Sequence, residues 1–142
     1  MQDSKTQMLH SELTESILGC CFDVMNELGV GFLESVYKNA LTIAMKEKGL
    51  TVQGEKRFEV VFRGHKIGVY LADLIINEKV IIELKCCEQI HNEHQVQLIN
   101  YLKASGIAVG LLVNFGRRKL EYKRLHHLAY PAACDPAHLV FT

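Results

Sequence analysis

The stretch that decides the fold is residues 73–85, which read DLIINEKVIIELK. Two runs rich in leucine and isoleucine flank the polar triplet Asn77-Glu78-Lys79, and this pattern is typical of two strands joined by a tight turn. A three-residue loop pairs Ile76 with Val80. We therefore predict an antiparallel β-hairpin whose register is set by the turn.

Two carboxylates fall side by side in this hairpin. Counting back from the turn places Asp73 opposite Glu83, and directly opposed residues share one face of a sheet. Lys85 shares that face because it lies two residues beyond Glu83. Like charges in this position destabilise a sheet, and a bound Mg²⁺ or Mn²⁺ is the natural compensation because hard cations prefer carboxylate oxygens. The alternative is an ordinary hairpin with a surface salt bridge between Lys85 and one acid.

The segments on either side of the hairpin predict a mixed sheet flanked by helices. Apolar residues at helical spacing indicate three helices, and apolar or alternating runs indicate three further strands. The predicted helices cover residues 13–28, 33–48 and 92–105, and the predicted strands cover residues 58–62, 67–76, 80–86, 107–114 and 119–124. The order α-α-β-β-β-α-β-β is that of an α/β (α+β) fold, with residues 80–86 as a central strand.

Composition bounds the remaining possibilities. The 142 residues suit one domain over 1–142, with an irregular tail from about residue 129. Sixteen basic residues balance sixteen acidic ones, so no global positive field indicates a nucleic-acid partner. No apolar run reaches the roughly 18 residues of a membrane span, and Met1–His10 lacks the apolar core of a signal peptide. We therefore expect a cytoplasmic protein without membrane contact.

A compact basic cluster, Arg117-Arg118-Lys119, lies just before the last predicted strand. It suits a nucleic-acid backbone, and each phosphate contact would make binding salt-dependent. The alternative is a solvated turn at the edge of the sheet. His91 and His94, just past the Glu83-x-Lys85 strand, are expected to have a surface role, and the alternative is an approach to the metal site or to a phosphate.

Four motifs carry a resemblance to a known family. Asp73 followed by Glu83-x-Lys85 resembles the core of the PD-(D/E)xK nuclease superfamily, although Ala72 takes the place of the motif's proline. Residues 31–37, GFLESVY, match the G-x-x-E-x-x-Y signature that names the GxxExxY family, a branch of that superfamily.

The other two motifs follow in the expected order. Residues 97–101, QLINY, resemble the family's Q-x-x-x-Y motif, and residues 110–116, GLLVNFG, resemble its last core strand. The resemblance covers about Leu13–Leu125 and implies a restriction-endonuclease-like mixed sheet.

The resemblance also implies roles for individual residues. Asp73 and Glu83 would be the principal metal ligands, with Glu34 as an additional acid on the metal side. Lys85 would be the catalytic lysine, and Gln97 would position the substrate or the metal water. For Glu34, the alternative is an acid favoured at a helix N-terminus.

Tyr37 and Tyr101 would support the site or meet the substrate backbone, and core packing is the alternative for both. The implied activity is divalent-metal-dependent hydrolysis of phosphodiester bonds in DNA or RNA, which leaves room for a homodimer because small nucleases often make two-strand cuts as dimers. A binding module that keeps the fold without catalysis, and an enzyme acting on a small phosphorylated molecule, are the competing functions.

Overall fold

The computed structural model describes residues 9–128 and contains the predicted order of elements. The helices are α1 (Ser11–Leu28), α2 (Glu34–Glu47) and α3 (Asn92–Ser105), and the strands are β1 (Val52–Phe62), β2 (His65–Ile76), β3 (Val80–Lys85), β4 (Val109–Asn114) and β5 (Glu121–His126). This confirms the predicted class, an α+β mixed sheet with a restriction-endonuclease-like fold. The predicted tail from about residue 129 lies outside the described residues.

The five strands form one sheet in the order β1-β2-β3-β4-β5. β3 and β4 are parallel, whereas every other neighbouring pair is antiparallel. α3 provides the crossover that a parallel pair requires. β3 is therefore the central strand, as its uninterrupted apolar run predicts, and five of its six residues are buried.

Helices cover both faces of the sheet. On the α1–α2 face, residues such as Ile17, Leu41 and Ile82 form a buried cluster. On the α3 face, Leu98 and Leu102 pack against strand residues of a second cluster. Within residues 9–128, no helix has the length and apolar character needed to cross a bilayer.

The hairpin of β1 and β2 differs from the sequence-based expectation. β1 begins at Val52 rather than at residue 58, because Gln53, Gly54, Lys56 and Arg57 pair with β2 while staying largely exposed. β2 pairs with β3 only from Leu74 to Ile76, and the earlier part of β2 pairs, among residues 9–128, with β1 alone. We call residues 56–72 the arm.

Candidate active site

The turn between β2 and β3 sets the register of the site as predicted. Ile76 pairs with Val80, and the backbone N–H of Lys79 donates to the carbonyl of Ile76 at 2.9 Å. Asn77 anchors the turn to the start of β1, since its side-chain oxygen accepts from the N–H of Thr51 at 2.8 Å. Asp73 and Glu83 therefore fall opposite each other, one step beyond the last paired residues.

Asp73 and Glu83 each use one carboxylate oxygen to bond the opposite strand. The backbone N–H of Asp73 donates to Oε2 of Glu83 at 3.0 Å. The backbone N–H of Leu84 donates to Oδ2 of Asp73 at 2.9 Å. Side-chain hydrogen bonds thus join β2 to β3 at the point where the backbone hydrogen bonds between the two strands end. The two carboxylates therefore lie together.

The alternation of faces along β2 is broken at Asp73. Ala72 packs in the cluster on the α3 face, whereas Leu74 packs in the cluster on the α1–α2 face. Across the hairpin, Glu55 has a left-handed backbone with φ of 52°, and both Glu55 and Asp73 are missing from the paired residues of β1 and β2. Irregular backbone of this kind is common where a strand must re-aim a functional side chain.

Glu83 is the most strongly perturbed acid of the pair. Its side chain leaves β3 on the α3 face, and only 8% of the residue is exposed. Burial, reinforced by the charge of Asp73, raises the pKa of Glu83 to about 8, although the Asp73 N–H and the charge of Lys85 act in the opposite direction. A buried carboxyl group beside a like charge favours either a proton or a cation.

Lys85 and Glu34 lie within electrostatic reach of this pair. Glu34 is the first residue of α2, where the helix dipole favours an acid. Desolvation and the charge of Asp73 raise the pKa of Glu34, while Lys85 and Lys38 lower it. Among residues 9–128, no carboxylate forms an ion pair with Lys85 within 4.0 Å. The lysine therefore does not neutralise the two acids in the way that the salt-bridge alternative requires.

Tyr37 is fully buried and organises the loop that leads to Glu34. Its hydroxyl donates to the carbonyl of Gly29 at 2.5 Å and accepts from the N–H of Phe32 at 3.2 Å. Its ring stacks on Phe115 at a centroid distance of 4.9 Å. Of the roles left open for Tyr37, its burial fits support and core packing, and in this conformation it presents no surface to a substrate.

Tyr101 belongs to a stack of aromatic rings beside Glu83. Tyr101 stacks on Tyr70 at 3.6 Å between centroids, and Tyr70 stacks on Phe58 at 5.3 Å. Burial, then the charges of Glu83 and of Asp73, raise the pKa of Tyr101.

Gln97 is exposed on α3, and its side chain lowers the pKa of Tyr101, against the raising effect of burial and of the two acids. The Gln97 side chain therefore lies beside the aromatic stack and is related to Asp73 and Glu83 through Tyr101.

Tyr70 is a residue near the site that sequence reasoning missed. Its hydroxyl is buried without a hydrogen-bond partner among residues 9–128, and burial followed by the charge of Glu83 raises its pKa. The sequence offers a weak signal, since Tyr70 precedes Asp73 by three residues. Strict alternation along β2 would put Tyr70 and Asp73 on opposite faces of the sheet. Because the alternation is broken at Asp73, this rule does not predict the face of Tyr70 correctly.

A polar cluster holds the segment that follows Lys85. Oδ1 of the buried Asn114 accepts from the N–H groups of Cys87 at 3.0 Å and Gly116 at 2.9 Å, and its Nδ2 donates to the Cys87 carbonyl and to Glu121. Oε1 of Glu121 also accepts from the N–H of Ile90 at 2.9 Å. The backbone after β3 is thereby fixed to the ends of β4 and β5.

The remaining candidates lie at the periphery of the site. Arg117, Arg118 and Lys119 are exposed between β4 and β5, and Arg117 lies 3.7 Å from Glu121. None of the three is among the charges that shift the pKa of Glu34 or Glu83. The side chain of His94 accepts a hydrogen bond from the backbone N–H of His91 at 3.0 Å, so the two histidines cap the N-terminus of α3.

The ligand type of this site, carboxylate oxygen, suits a hard divalent cation, but the number of carboxylates is small. Among residues 9–128, no three His, Cys, Asp or Glu side chains are close enough together to form a ready-made metal cluster. Asp73 and Glu83 offer carboxylate oxygens, which suit Mg²⁺ or Mn²⁺. Burial first, and then the charge of Asp73, raise the pKa of Glu83, and a bound cation would favour the ionised carboxylate again. Magnesium commonly completes its shell with water when only one or two carboxylates bind it.

Comparisons with known proteins agree with this fold. A family model described as the PD-(D/E)XK nuclease superfamily matches residues 11–125. The fold is similar to the crystal structure of SSO0001, with a TM-score of 0.51 and 20% sequence identity, and the match covers 95% of this chain and 65% of that one. This chain thus spans about 65% of the length of that protein, and at this identity the likeness shows the fold alone.

A search of curated proteins found no match. The family match spans most of the chain, including Glu34, Asp73, Glu83, Lys85 and Gln97. The chain belongs to the PD-(D/E)XK nuclease superfamily.

Proposed function

We propose that this protein is a divalent-metal-dependent nuclease that hydrolyses phosphodiester bonds in DNA or RNA. The observation that carries the proposal is the Asp73–Glu83 pair, in which two carboxylates share one end of the β2–β3 ladder and Lys85 forms an ion pair with neither. The superfamily generally works with divalent metals on nucleic acids, and this pair supplies the donors for that chemistry. Mg²⁺ and Mn²⁺ are the proposed ions.

Each residue of the site has a proposed task. Asp73 and Glu83 would hold the metal, with Glu34 as a third acid from α2. When bound, the metal would lower the pKa of a water molecule and stabilise charge on a phosphate oxygen. Lys85 would orient or deprotonate the attacking water, or neutralise the charge that develops on the phosphate. Gln97 would help to position the substrate or water from α3.

The flanking motifs would organise the site and bind the substrate. Tyr37 would act as a positioning residue, because its hydroxyl ties together the loop that precedes Glu34. Tyr101 would meet the substrate backbone at its partly exposed edge. Arg117, Arg118 and Lys119 would contact phosphates further along the strand.

The GxxExxY branch is the proposed place of the protein within the superfamily. The structure of the Gly31–Tyr37 loop supports this, since the glycine has φ of 109° and the tyrosine closes the loop. A side chain at Gly31 would be strained in that conformation. The spacing of the motif therefore has a physical basis in this chain.

Cleavage assays with a matched lysine pair test the proposal. Purified protein is incubated with plasmid, single-stranded DNA and RNA in Mg²⁺, in Mn²⁺ or in EDTA. We expect metal-dependent cleavage, and we expect Lys85→Ala to reduce it at least a hundredfold. Lys46→Ala, an exposed lysine in the last turn of α2, should cleave like the wild type.

The alternative outcome favours a different function. If the wild type cleaves no substrate in either metal yet binds nucleic acid, the non-catalytic binding module replaces the nuclease. Thermal unfolding of both lysine variants separates a loss of chemistry from a loss of structure. Equal cleavage by Lys85→Ala and wild type would contradict the role assigned to the lysine.

A further inference from the structure

A buried hydroxyl lies in the aromatic stack beside the acid pair. Only 7% of Tyr70 is exposed, and its hydroxyl oxygen has no hydrogen-bond partner among residues 9–128. Buried polar groups in native proteins are almost always hydrogen-bonded, because a hydroxyl that leaves water without gaining a new partner destabilises the fold. A phenylalanine would fill the same place without that loss. The hydroxyl of Tyr70 therefore needs an explanation other than packing.

The packing of the ring fixes where this hydroxyl lies. Tyr70 stacks on Tyr101 with an angle of 8° between the ring planes, and on Phe58 with an angle of 18°. Phe58 is also its direct neighbour in the pairing of β1 with β2. The hydroxyl of a tyrosine lies on the axis about which the ring flips, so only a swing of the whole side chain could move it. The two stacked rings oppose that movement, since packed interiors leave little free space.

The charges around this hydroxyl indicate Glu83 as its acceptor. Burial, and then the charge of Glu83, raise the pKa of Tyr70. Tyr101 and Asp73 are the other ionisable groups whose charges reach it, and both act in the same direction. The hydroxyl therefore keeps its proton and is able to donate it to a hydrogen bond. Glu83 is buried nearby, and a carboxylate can accept more bonds than the one that its Oε2 accepts from the Asp73 N–H.

We propose that Tyr70 is a positioning residue for Glu83, and that its hydroxyl donates to the Glu83 carboxylate when that carboxylate holds a cation. This inference rests on the metal site of the proposed function. Hydrogen bonds to a metal-binding side chain fix its orientation, and their loss typically weakens metal affinity about 10- to 100-fold. In the metal-free protein the same hydroxyl is buried without a partner, so it lowers stability until the site is filled.

A purely structural role for Tyr70 predicts different signs. If only the ring mattered, removal of the hydroxyl would leave metal binding unchanged. If the hydroxyl supported the fold, its removal would destabilise the metal-free protein. The proposed role instead requires a variant without the hydroxyl to be more stable in the absence of metal and to bind metal less tightly. Stability and metal affinity must therefore change in opposite directions.

Tyr70→Phe tests both signs, because it removes the hydroxyl and keeps the stacked ring. In EDTA the melting temperature of Tyr70→Phe should lie about 2–6 °C above that of the wild type. Isothermal titration calorimetry with Mn²⁺, and separately with Mg²⁺, should give a dissociation constant about tenfold larger for the variant than for the wild type. Neither measurement depends on cleavage of a substrate.

Tyr122→Phe is the matched control. Tyr122 lies on β5 at a 42% exposed position, and it is not among the groups that shift the pKa of Glu34 or Glu83. Loss of its hydroxyl should leave the melting temperature in EDTA and the Mn²⁺ dissociation constant like those of the wild type. Effects equal to those of Tyr70→Phe would show that they do not come from the site, and would overturn the proposal.

Three further results would overturn the proposal, and they separate it from the proposed function. A Tyr70→Phe variant that melts at or below the wild-type temperature in EDTA would show that the hydroxyl does not lower the stability of the metal-free protein. A variant that binds both ions as tightly as the wild type would exclude Tyr70 from the site and leave the metal site in place. A wild type that binds neither ion would contradict the metal site itself, and the role of Tyr70 with it.

The two measurements also stand if the nuclease proposal fails. A wild type that binds metal and cleaves no nucleic acid would contradict the proposed activity. Opposite changes of stability and metal affinity in Tyr70→Phe would then still support the role of Tyr70.

Discussion

The backbone N–H of Asp73 donates to the carboxylate of Glu83 across the end of the β2–β3 hairpin, at 3.0 Å. Asp73 in turn accepts from the strand of Glu83, through the N–H of Leu84. Each acid is thus held by the other's strand, so the pair is oriented before any ligand binds. Preorganised ligands lose little freedom on binding, which favours a site built at this point.

The pH dependence of stability should reveal the strain in this pair. The pKa of Glu83 is raised from 4.5 to about 8, so the folded protein holds a proton that the unfolded chain releases. The free energy of unfolding of the metal-free protein should therefore fall as the pH rises from about 4.5 to about 8, by a few kcal/mol as an order of magnitude. Urea unfolding in EDTA at successive pH values measures this change.

Glu83→Gln is the control for that prediction. The amide cannot ionise, so the variant should show a flatter profile over the same pH interval, and added Mg²⁺ or Mn²⁺ should stabilise the wild type more than the variant. A wild-type profile that rises across the interval, or a variant with the same slope, would contradict the assignment.

Gly116→Ala should destabilise the protein through a steric clash. A Cβ at this position would lie 2.4 Å from the nitrogen and 2.5 Å from the oxygen of Cys87, and both are backbone atoms that cannot rotate away. Overpacking of this kind costs about 1–3 kcal/mol. Thermal or urea unfolding measures the loss.

Gly19→Ala is the matched control for this substitution. Its Cβ would meet only Lys48, at 4.0 Å, in the middle of α1. Alanine favours a helix over glycine by up to about 1 kcal/mol, so this variant should be as stable as the wild type or more so. Equal effects at the two glycines would show that Gly116 is not sterically constrained.

Glu121 should make the protein sensitive to acid. Burial would raise the pKa of Glu121, but hydrogen bonds from the Asn114 amide and the Ile90 N–H outweigh it and hold the pKa below its ordinary value of 4.5. The ionised form is therefore favoured in the folded state, and its contribution to stability is lost as the pH falls below about 4.5.

Glu121→Gln tests this contribution because glutamine keeps an acceptor oxygen and cannot be protonated. Its free energy of unfolding should decline less than that of the wild type between about pH 5 and about pH 3. This range brackets the ordinary pKa of glutamate. Glu27→Gln, at an exposed position of α1, reports the effect of removing one surface carboxylate. A decline as steep in Glu121→Gln as in the wild type would refute the prediction.

Tyr37→Phe should loosen the loop before α2 while leaving the core intact. The phenyl ring can keep the stack on Phe115, but the bonds to Gly29 and Phe32 are lost. A lost hydrogen bond of this type costs about 1 kcal/mol, and the amide of Phe32 should exchange with solvent faster. Amide exchange measured by NMR tests this, with Tyr122→Phe at a 42% exposed position as the control. Unchanged exchange at Phe32 would show that the hydroxyl does not hold the loop.

Local rules were sufficient to predict the hairpin and its acids. The turn at residues 77–79 fixes which residues are opposite each other, so the pairing of Ile76 with Val80 and the meeting of Asp73 with Glu83 followed by counting. α3 was also predicted with its observed bounds, because Gly106 ends it in the left-handed conformation that glycine tolerates.

Features that depend on tertiary structure were not predictable in the same way. The left-handed Glu55 and the break of alternation at Asp73 arise where the arm leaves the sheet, and no local pattern marks that point. Tyr70 was missed for this reason. The bonds of the Tyr37 hydroxyl were likewise hidden, because they join residues brought together only when the loop closes.

The parallel pairing of β3 with β4 has a consequence for synthesis of the chain on the ribosome. Val80 pairs with Val109, so the central strand emerges long before its neighbour does. A nascent chain that ends shortly after Lys85 exposes an apolar strand edge that only the segment through Asn114 can close. We therefore expect chains stalled in that interval to be prone to aggregation, because an open apolar strand edge can pair with other unfinished chains.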